Sequence, residues 1–558
     1  MKLLLAWLAL LPVLVLTFYP GFAAPFILDD GSSIVANSDI RHVSMENLVR
    51  MVRSHANIRG VDHHPVSAFT LMLDYQWAGL DPYLLHFSNL LFHWIVAGLV
   101  MMLVVTVWRW GPREQGEAVG ITAMALWAVH PLATMPVAYI TGRQESLLVG
   151  FYLGAMVLLA RGREAWCVAC AVCAFLSKEV AVTLPGALWL LDWAMGGEGI
   201  VATFRKRWRF YLMLTSVWLL LCAYHLRGGR NSELGTTGLP LADRVEYLKA
   251  QAKIVLGYAG KFFWPANHEI YPYVWPVERW QEWMPGAVLI GLYVVAAVLA
   301  LRWSRWLAMA MVFPLLVLLP TSSVIPLPFE PAMEYRFYLP AVAWVVLLVV
   351  GLYRVAPWPA VRIGVPAVVM VVLAVLSHVR CRDYESITRL YEQDLKVNPR
   401  SLNALHVLAL EYRSQGLLDK AEAMATRQID LAVLGRNLDG QRKGYSALAA
   451  VNVAQRRDEE AKANYRRVLA MGGNMAAQIE LAAIHVRLNE FSEAEPLLQG
   501  YLRVSPDSAD GLLLLYESRI STKRFDEAEQ LLNRAMQLYP EREDLLMQKA
   551  RLERARRN

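Results

Sequence analysis

The sequence predicts an all-α protein in two parts, a polytopic bundle of membrane helices followed by a superhelix of short helical repeats. Three observations predict it. Of 558 residues, 56% are hydrophobic and only 18% are charged, too apolar for a soluble chain of this length. The apolar residues fall into runs of helical length separated by short basic clusters, the pattern of membrane spans and their loops. Near His378-Val379-Arg380-Cys381-Arg382 the charge density rises, and beyond it an internal period close to 34 residues sets in, the period of tetratricopeptide repeats. The chain is therefore expected to divide into a membrane domain over 1–380 and a repeat domain over 383–558.

The first run, Leu3 to Phe18 behind Lys2, reads as a span with its N-terminus inside. Cleavage after Ala23-Ala24 would instead leave Asp29 and Asp30 on a loose new terminus. Further runs lie at about 84–108, 118–138, 145–160, 164–177, 180–195, 209–226, 284–301, 306–320, 339–353 and 363–379, giving about eleven spans, several of marginal length. The clusters Arg109 with Arg113, Arg161 with Arg163, Arg205-Lys206-Arg207, Arg302 with Arg305, and Arg354 with Arg362 all fall on the side of Lys2. By the positive-inside rule that side is cytoplasmic. Loops 23–83, 139–144, around 178, 227–283 and 321–338, and everything after 380, are then extracytoplasmic. The formal charge of +7 follows from this topology, and no nucleic-acid partner is implied.

Asp243 to Phe263 is helical in pattern yet has both ends outside, which suggests an interfacial or re-entrant helix. Its Lys249, Lys253 and Lys261 would either meet a lipid phosphate or snorkel to the headgroup level. Cys167, Cys170 and Cys173 share one helical face without acidic or histidine neighbours, so they read as a small-residue packing face. His86, Asn89 and His93 share a face as well, and packing or interhelical hydrogen bonding suits them better than metal ligation.

In the C-terminal part Ala494 and Ala528 stand 34 residues apart, Ala461 lies 33 before Ala494, and Ala421 lies 40 before Ala461. These small residues allow paired helices to approach. About four repeats are expected, the first joined to the second by a longer link through Gly435 to Gly444, with a capping helix from Glu541 to Arg556. The concave face of such an array commonly holds a peptide or protein.

The chemistry is expected at the first outer loop, Phe26 to Ile40, where Asp29 and Asp30 adjoin the first span. A carboxylate there can act as a general base beside a lipid-borne substrate. Ionisable residues near other span ends point to the same face: His63-His64, His130, Arg143 with Glu145, Lys178-Glu179, His268-Glu269, and Glu334 with Arg336. Cations and carboxylates gathered there suit a substrate with a phosphate. The plain alternative is structural ion pairing, Arg143 to Glu145 and Glu334 to Arg336, with Lys178-Glu179 marking a turn.

Asp29-Asp30-Gly31-Ser32-Ser33, Tyr83 to His93, His130-Pro131, Tyr139 to Glu145, Ser177-Lys178-Glu179 and Glu334 to Pro340 occur in this order and precede the repeats. With them the chain resembles the transmembrane and tetratricopeptide-repeat-containing O-mannosyltransferases and their bacterial relatives, within the GT-C superfamily. The resemblance implies a glycosyltransferase of the bacterial inner membrane. It would move a sugar from a polyprenyl-phosphate carrier to a protein Ser or Thr hydroxyl on the extracytoplasmic face, with the repeats on that side. It also implies a catalytic acid at Asp29 or Asp30 and a carrier-phosphate site at Arg143, Lys178 and Arg336, with Glu145, Glu179 and Glu334 as partners of the cations; His64, from the same outer-face set of ionisable residues, is expected among the substrate-binding residues. The other classes the residues allow are a lipid-linked envelope-glycan transferase and a non-catalytic membrane scaffold that recruits partners through its repeats. No cofactor is firmly implied. A divalent metal at Asp29 and Asp30 would need further ligands, which Asp39, Asp62 and His63 would supply only by folding back.

Overall fold

The structure, a computed structural model, describes residues 1–53, 61, 64–109, 111–227, 241–270, 277, 279–324, 332–472 and 475–557. It is all-α among these residues and divides into two compact units, Met1–Asn398 and Pro399–Asn558.

In the first unit each of the eleven apolar runs is helical. Among the described residues five helices are long and apolar enough to cross a membrane, Lys2–Ala23, Pro82–Val107, Trp280–Ala300, Arg305–Ser322 and Pro359–Asp383, and two bent pairs raise the number to seven if each is one span. By length and composition alone, five to seven of the eleven expected runs among the described residues reach the length of a span by themselves. The run 118–138 breaks by 63° between Arg113–Ala128 and Pro131–Ala138, where Pro131 removes a backbone donor next to His130. Glu164–Ser177, Trp208–Ala223 and Pro340–Val355 are shorter apolar helices that need neighbours to satisfy a membrane's thickness. Helices Trp280–Ala300 and Pro359–Asp383 bury only 17% of their apolar windows. In water such faces would aggregate, whereas in lipid they are the outer wall of a bundle. This unit is a membrane domain.

Pro82–Val107 runs through its middle and packs on Arg113–Ala128, on Arg143–Ala160 and on the first helix, which also touches Pro359–Asp383. Trp7 stacks on Trp94 with ring centroids 3.9 Å apart. Each indole N–H donates to the other residue's carbonyl, at 2.9 and 2.8 Å. Gly98 is required beside them, since a Cβ there would lie 2.7 Å from the Trp7 Nε1. On Glu164–Ser177 the three thiols are free, Cys167 is buried, and Cys170 Sγ faces Gly154 of Arg143–Ala160, 3.6 Å from where a Cβ would stand.

The described part of the chain between the first helix and Pro82–Val107 has a small core of its own. Helices Met45–Arg53 and Pro65–Ala78 close over a small core of Ile34, Ile40, Met51, Leu71, Met72 and Ile140.

The second unit consists of four helix pairs, Leu402–Ser414 with Leu418–Leu434, Leu438–Ala454 with Asp458–Ala470, Met475–Arg487 with Phe491–Val504, and Ala509–Ser521 with Phe525–Leu538, then the capping helix Asp544–Arg557. Ala421, Ala461, Ala494 and Ala528 are all fully buried. The longer link expected through Gly435 to Gly444 does not exist. The spacing of 40 arises because Leu418–Leu434 and Leu438–Ala454 each run to 17 residues. Gly440 and Gly444 lie inside the latter, where a Cβ would come within 2.9 Å of Leu402 and 2.7 Å of Ile429. They are close-approach glycines, and reading them as a flexible link was the error.

Candidate active site

The loop leaving the first span turns at Leu28, whose φ of 49° is a left-handed conformation that costs a residue with a Cβ about 1–2 kcal/mol. Such strain is found where a site demands it. The turn sends two adjacent carboxylates into opposite surroundings. Asp30 is fully buried, while Asp29 is exposed. The Asp30 Oδ1 accepts from the Thr141 amide at 2.9 Å and from its hydroxyl at 2.7 Å, and Oδ2 accepts from the Ile27 amide at 3.1 Å. Burial pushes the Asp30 carboxyl up to about 6, although the hydrogen bonds from Thr141 and Ile27 pull it down. Asp29 stands just before a π-helical turn, Gly31–Val35, whose N-cap is Asp30, and its carbonyl accepts from Ser33 N at 2.8 Å and from Ser32 Oγ at 3.2 Å.

The face of Pro82–Val107 fixes the partner loop. Asn89 Nδ2 donates to the carbonyls of Tyr139 and Ile140 at 3.0 and 3.1 Å. The His86 ring nitrogens lie 3.1 Å from the Ala24 carbonyl and 3.3 Å from that of Val137. His93 bridges Tyr338 Oη and the Ala128 carbonyl. These residues hydrogen-bond between helices, as their spacing suggested. They also hold both ends of the Asp30 to Thr141 contact.

The charged motifs meet, but in pairings other than those expected within each motif. Arg143, fully buried, bonds Asp74 Oδ2 at 2.6 Å, and Ser88 Oγ donates to the same oxygen at 2.7 Å. Glu145 pairs with Lys178, whose ammonium sits 4.2 Å over the Tyr335 ring. Glu179 pairs with the buried His64 at 2.9 Å. Glu334 is bound by Lys261 at 2.6 Å, by His268 Nδ1 at 2.7 Å and by the Glu269 amide at 2.9 Å. Although burial opposes it, the charges of His268 and Lys261 hold the Glu334 carboxyl below the usual carboxylate range. Arg336 is half-buried on the same turn, Glu334–Phe337, with its charge near the Tyr258 hydroxyl.

Arg143 and Glu145 pair elsewhere for a geometric reason. Residues two apart at the start of a helix project from different sides, so Arg143 and Glu145 reach separate elements. The lysines of Leu241–Phe263 are likewise engaged by protein, Lys249 with Glu246, Lys253 with Glu282 and Lys261 with Glu334.

Three participants were not singled out from sequence. Asp74 had a signal, since it is the only charged residue in the apolar helix Pro65–Ala78 and a lone carboxylate on such a face needs a partner. Thr141 had none beyond its place in Tyr139 to Glu145. Asp394 lies past the expected boundary, yet its helix Ile387–Val397 belongs to the first unit, and Asp394 Oδ1 accepts from the Ile270 amide at 2.9 Å. Burial raises the Asp394 carboxyl to about 7. Among the described residues no three His, Cys, Asp or Glu side chains gather as metal ligands. Asp39 bonds Arg50 at 2.8 Å, and Asp62 and His63 lie outside the described residues.

The tetratricopeptide repeat family model matches residues 492–552. A protein O-mannosyl-transferase of Caenorhabditis elegans is 29% identical over 204 residues, covering 32% of this chain and 27% of that protein. One of Xenopus laevis is 26% identical over 187 residues, 30% of this chain and 22% of that protein, and one of Drosophila melanogaster is 29% identical over 177 residues, 29% and 19%. The chain thus spans less than a third of the length of these curated relatives.

Proposed function

We propose that this tetratricopeptide-bearing relative of the protein O-mannosyl-transferases is an integral-membrane glycosyltransferase of the GT-C type, moving a sugar from a polyprenyl-phosphate carrier to a Ser or Thr hydroxyl of a protein. The observation that carries the reading is the division of labour between the two adjacent carboxylates. Asp30 is consumed by three hydrogen bonds and acts as the anchor. Asp29 is held on the strained Leu28 corner with its side chain exposed, where an acceptor can reach it.

In the reaction Asp29 takes the proton of the acceptor hydroxyl as its oxygen bonds to the anomeric carbon, and the bond from that carbon to the phosphate oxygen breaks with inversion. The carrier phosphate departs with the electron pair. Charge developing on it is met by preorganised donors, for which Lys178 and Arg336 are the candidates near the Tyr335 turn. Arg143 is a positioning residue in this scheme, because its guanidinium is buried on Asp74. Glu145 holds Lys178, and the His64 and Glu179 pair braces the turn that carries it. The site faces the extracytoplasmic side of a bacterial inner membrane, and the repeats, on the same side, present the acceptor.

The test is mass spectrometry of extracytoplasmic proteins from cells with the gene, without it, and with Asp29→Asn. A hexose lost from the same acceptor in the last two supports the reading, with transfer by Asp29→Asn down by at least roughly 10². Unchanged glycosylation in all three sinks it. Loss of sugar from envelope polysaccharide alone would point to the glycan transferase instead.

A further inference from the structure

Asn267, with a φ of 56°, turns the chain back after the helix Leu241–Phe263 and delivers His268 to Glu334. His268 is only 8% exposed. Its Nδ1 lies 2.7 Å from Glu334 Oε2, and its buried Nε2 has no hydrogen-bond partner. Three other buried imidazoles of this unit behave differently. His86, His93 and His130 each have both ring nitrogens within hydrogen-bond distance of a partner. An unmet polar atom in a native interior calls for an explanation. A carboxylate on Nδ1 with Nε2 unpaired is the arrangement by which imidazoles are oriented toward a substrate.

We infer that His268 donates its Nε2–H to the phosphate oxygen that leaves the sugar, with Glu334 as the residue that orients and charges the ring. This rests on the glycosyl-transfer reading above. The ligand is anionic because the turn bearing Glu334 also carries Arg336, and Tyr335 beside it lies under Lys178. As the bond between the anomeric carbon and the phosphate oxygen breaks, its electron pair stays on that oxygen. The imidazolium stabilises it by a charge-assisted hydrogen bond, and the ring keeps its proton. The titratable groups that face the ring are Glu334, on Nδ1, and His130.

The test measures binding of polyprenyl phosphate, inorganic phosphate and phosphatidic acid to the purified full chain at pH 6 and pH 8. Wild type is compared with His268→Gln, which keeps a donor for Glu334 but has no proton to lose, so titration of the ligand itself cancels between the two proteins. Relative to His268→Gln, wild type is expected to lose about 10-fold more affinity for polyprenyl phosphate between the two pH values, the size of one charge-assisted hydrogen bond. Glu334→Gln is a second variant, which takes away the carboxylate on Nδ1 and is expected to weaken polyprenyl-phosphate binding at both pH values; unchanged binding overturns the orienting role of Glu334. Equal pH dependence in wild type and His268→Gln overturns the role of His268 while leaving glycosyl transfer standing. Equal binding of inorganic phosphate or phosphatidic acid overturns the assignment to the sugar carrier. No binding of polyprenyl phosphate by wild type at either pH overturns both.

Discussion

Asp30 and Thr141 together set the position of the neighbouring Asp29. A hydrogen bond to a buried charged carboxylate is worth about 1.5–3 kcal/mol, so Thr141→Val is expected to destabilise the purified protein by that amount at pH 7. The sign of the pH effect follows from Asp30, raised by burial from 3.8 to about 6. A raised carboxyl binds its proton more tightly in the folded state, so its contribution to stability is present in acid and is lost as pH rises through about 6. Thr141→Val should therefore cost less at pH 5, where Asp30 carries a proton, and thermal unfolding at the two pH values reads the difference. Equal losses would mean that Asp30 stays in one protonation state. The buried pair of Arg143 and Asp74 behaves differently. Asp74→Ala leaves a guanidinium uncompensated and should cost about 3–5 kcal/mol, visible as loss of folded protein in membranes.

At the scale of elements, the turns inside the repeat pairs share one backbone feature. Gly416, Arg456, Asn489 and Lys523 all have positive φ, of 75°, 61°, 61° and 58°, and each stands five residues before the buried alanine of its repeat. Glycine adopts that conformation without steric cost. Lys523→Gly is expected to raise repeat stability by about 0.5–1 kcal/mol, checked by urea unfolding, and a loss would show that Lys523 makes a compensating contact. Much of this level was legible in the sequence. Apolar runs and spaced alanines are local patterns, and the face of His86, Asn89 and His93 follows from helical period alone. What escaped was whatever depended on partners far along the chain. Arg143 finds Asp74 and Glu145 finds Lys178 because packing brings together elements that no spacing relates. The glycines of Leu438–Ala454 were misread because their neighbour helix is invisible from one segment.

For the whole molecule, the cut between units falls after Asn398, while composition changes near 380. Charge density marks where the chain leaves lipid, and the helix Ile387–Val397 is polar on one side yet is packed into the membrane unit through Asp394. A chain ending at 398 is expected to fold and to bind donor, with transfer to large acceptors reduced. One ending at 383 strips the partner from the Ile270 amide and should be the less stable by about 1–3 kcal/mol. Thermal melts of the two truncations decide the matter, and equal stability would detach Asp394 from any part in the site.

The polar latches of the membrane unit close over very long stretches of chain. His378 Nδ1 lies 2.9 Å from the Leu16 carbonyl, Ser377 Oγ donates to Val129 at 2.7 Å, and Trp127 Nε1 donates to Tyr338 at 3.1 Å. In hydrocarbon an unmet polar group has no water to turn to. The first helices to leave the ribosome therefore wait, incompletely satisfied, until the final apolar helix is inserted. The helix Pro359–Asp383 thus completes, through Ser377 and His378, polar contacts that the first 129 residues of the chain leave waiting.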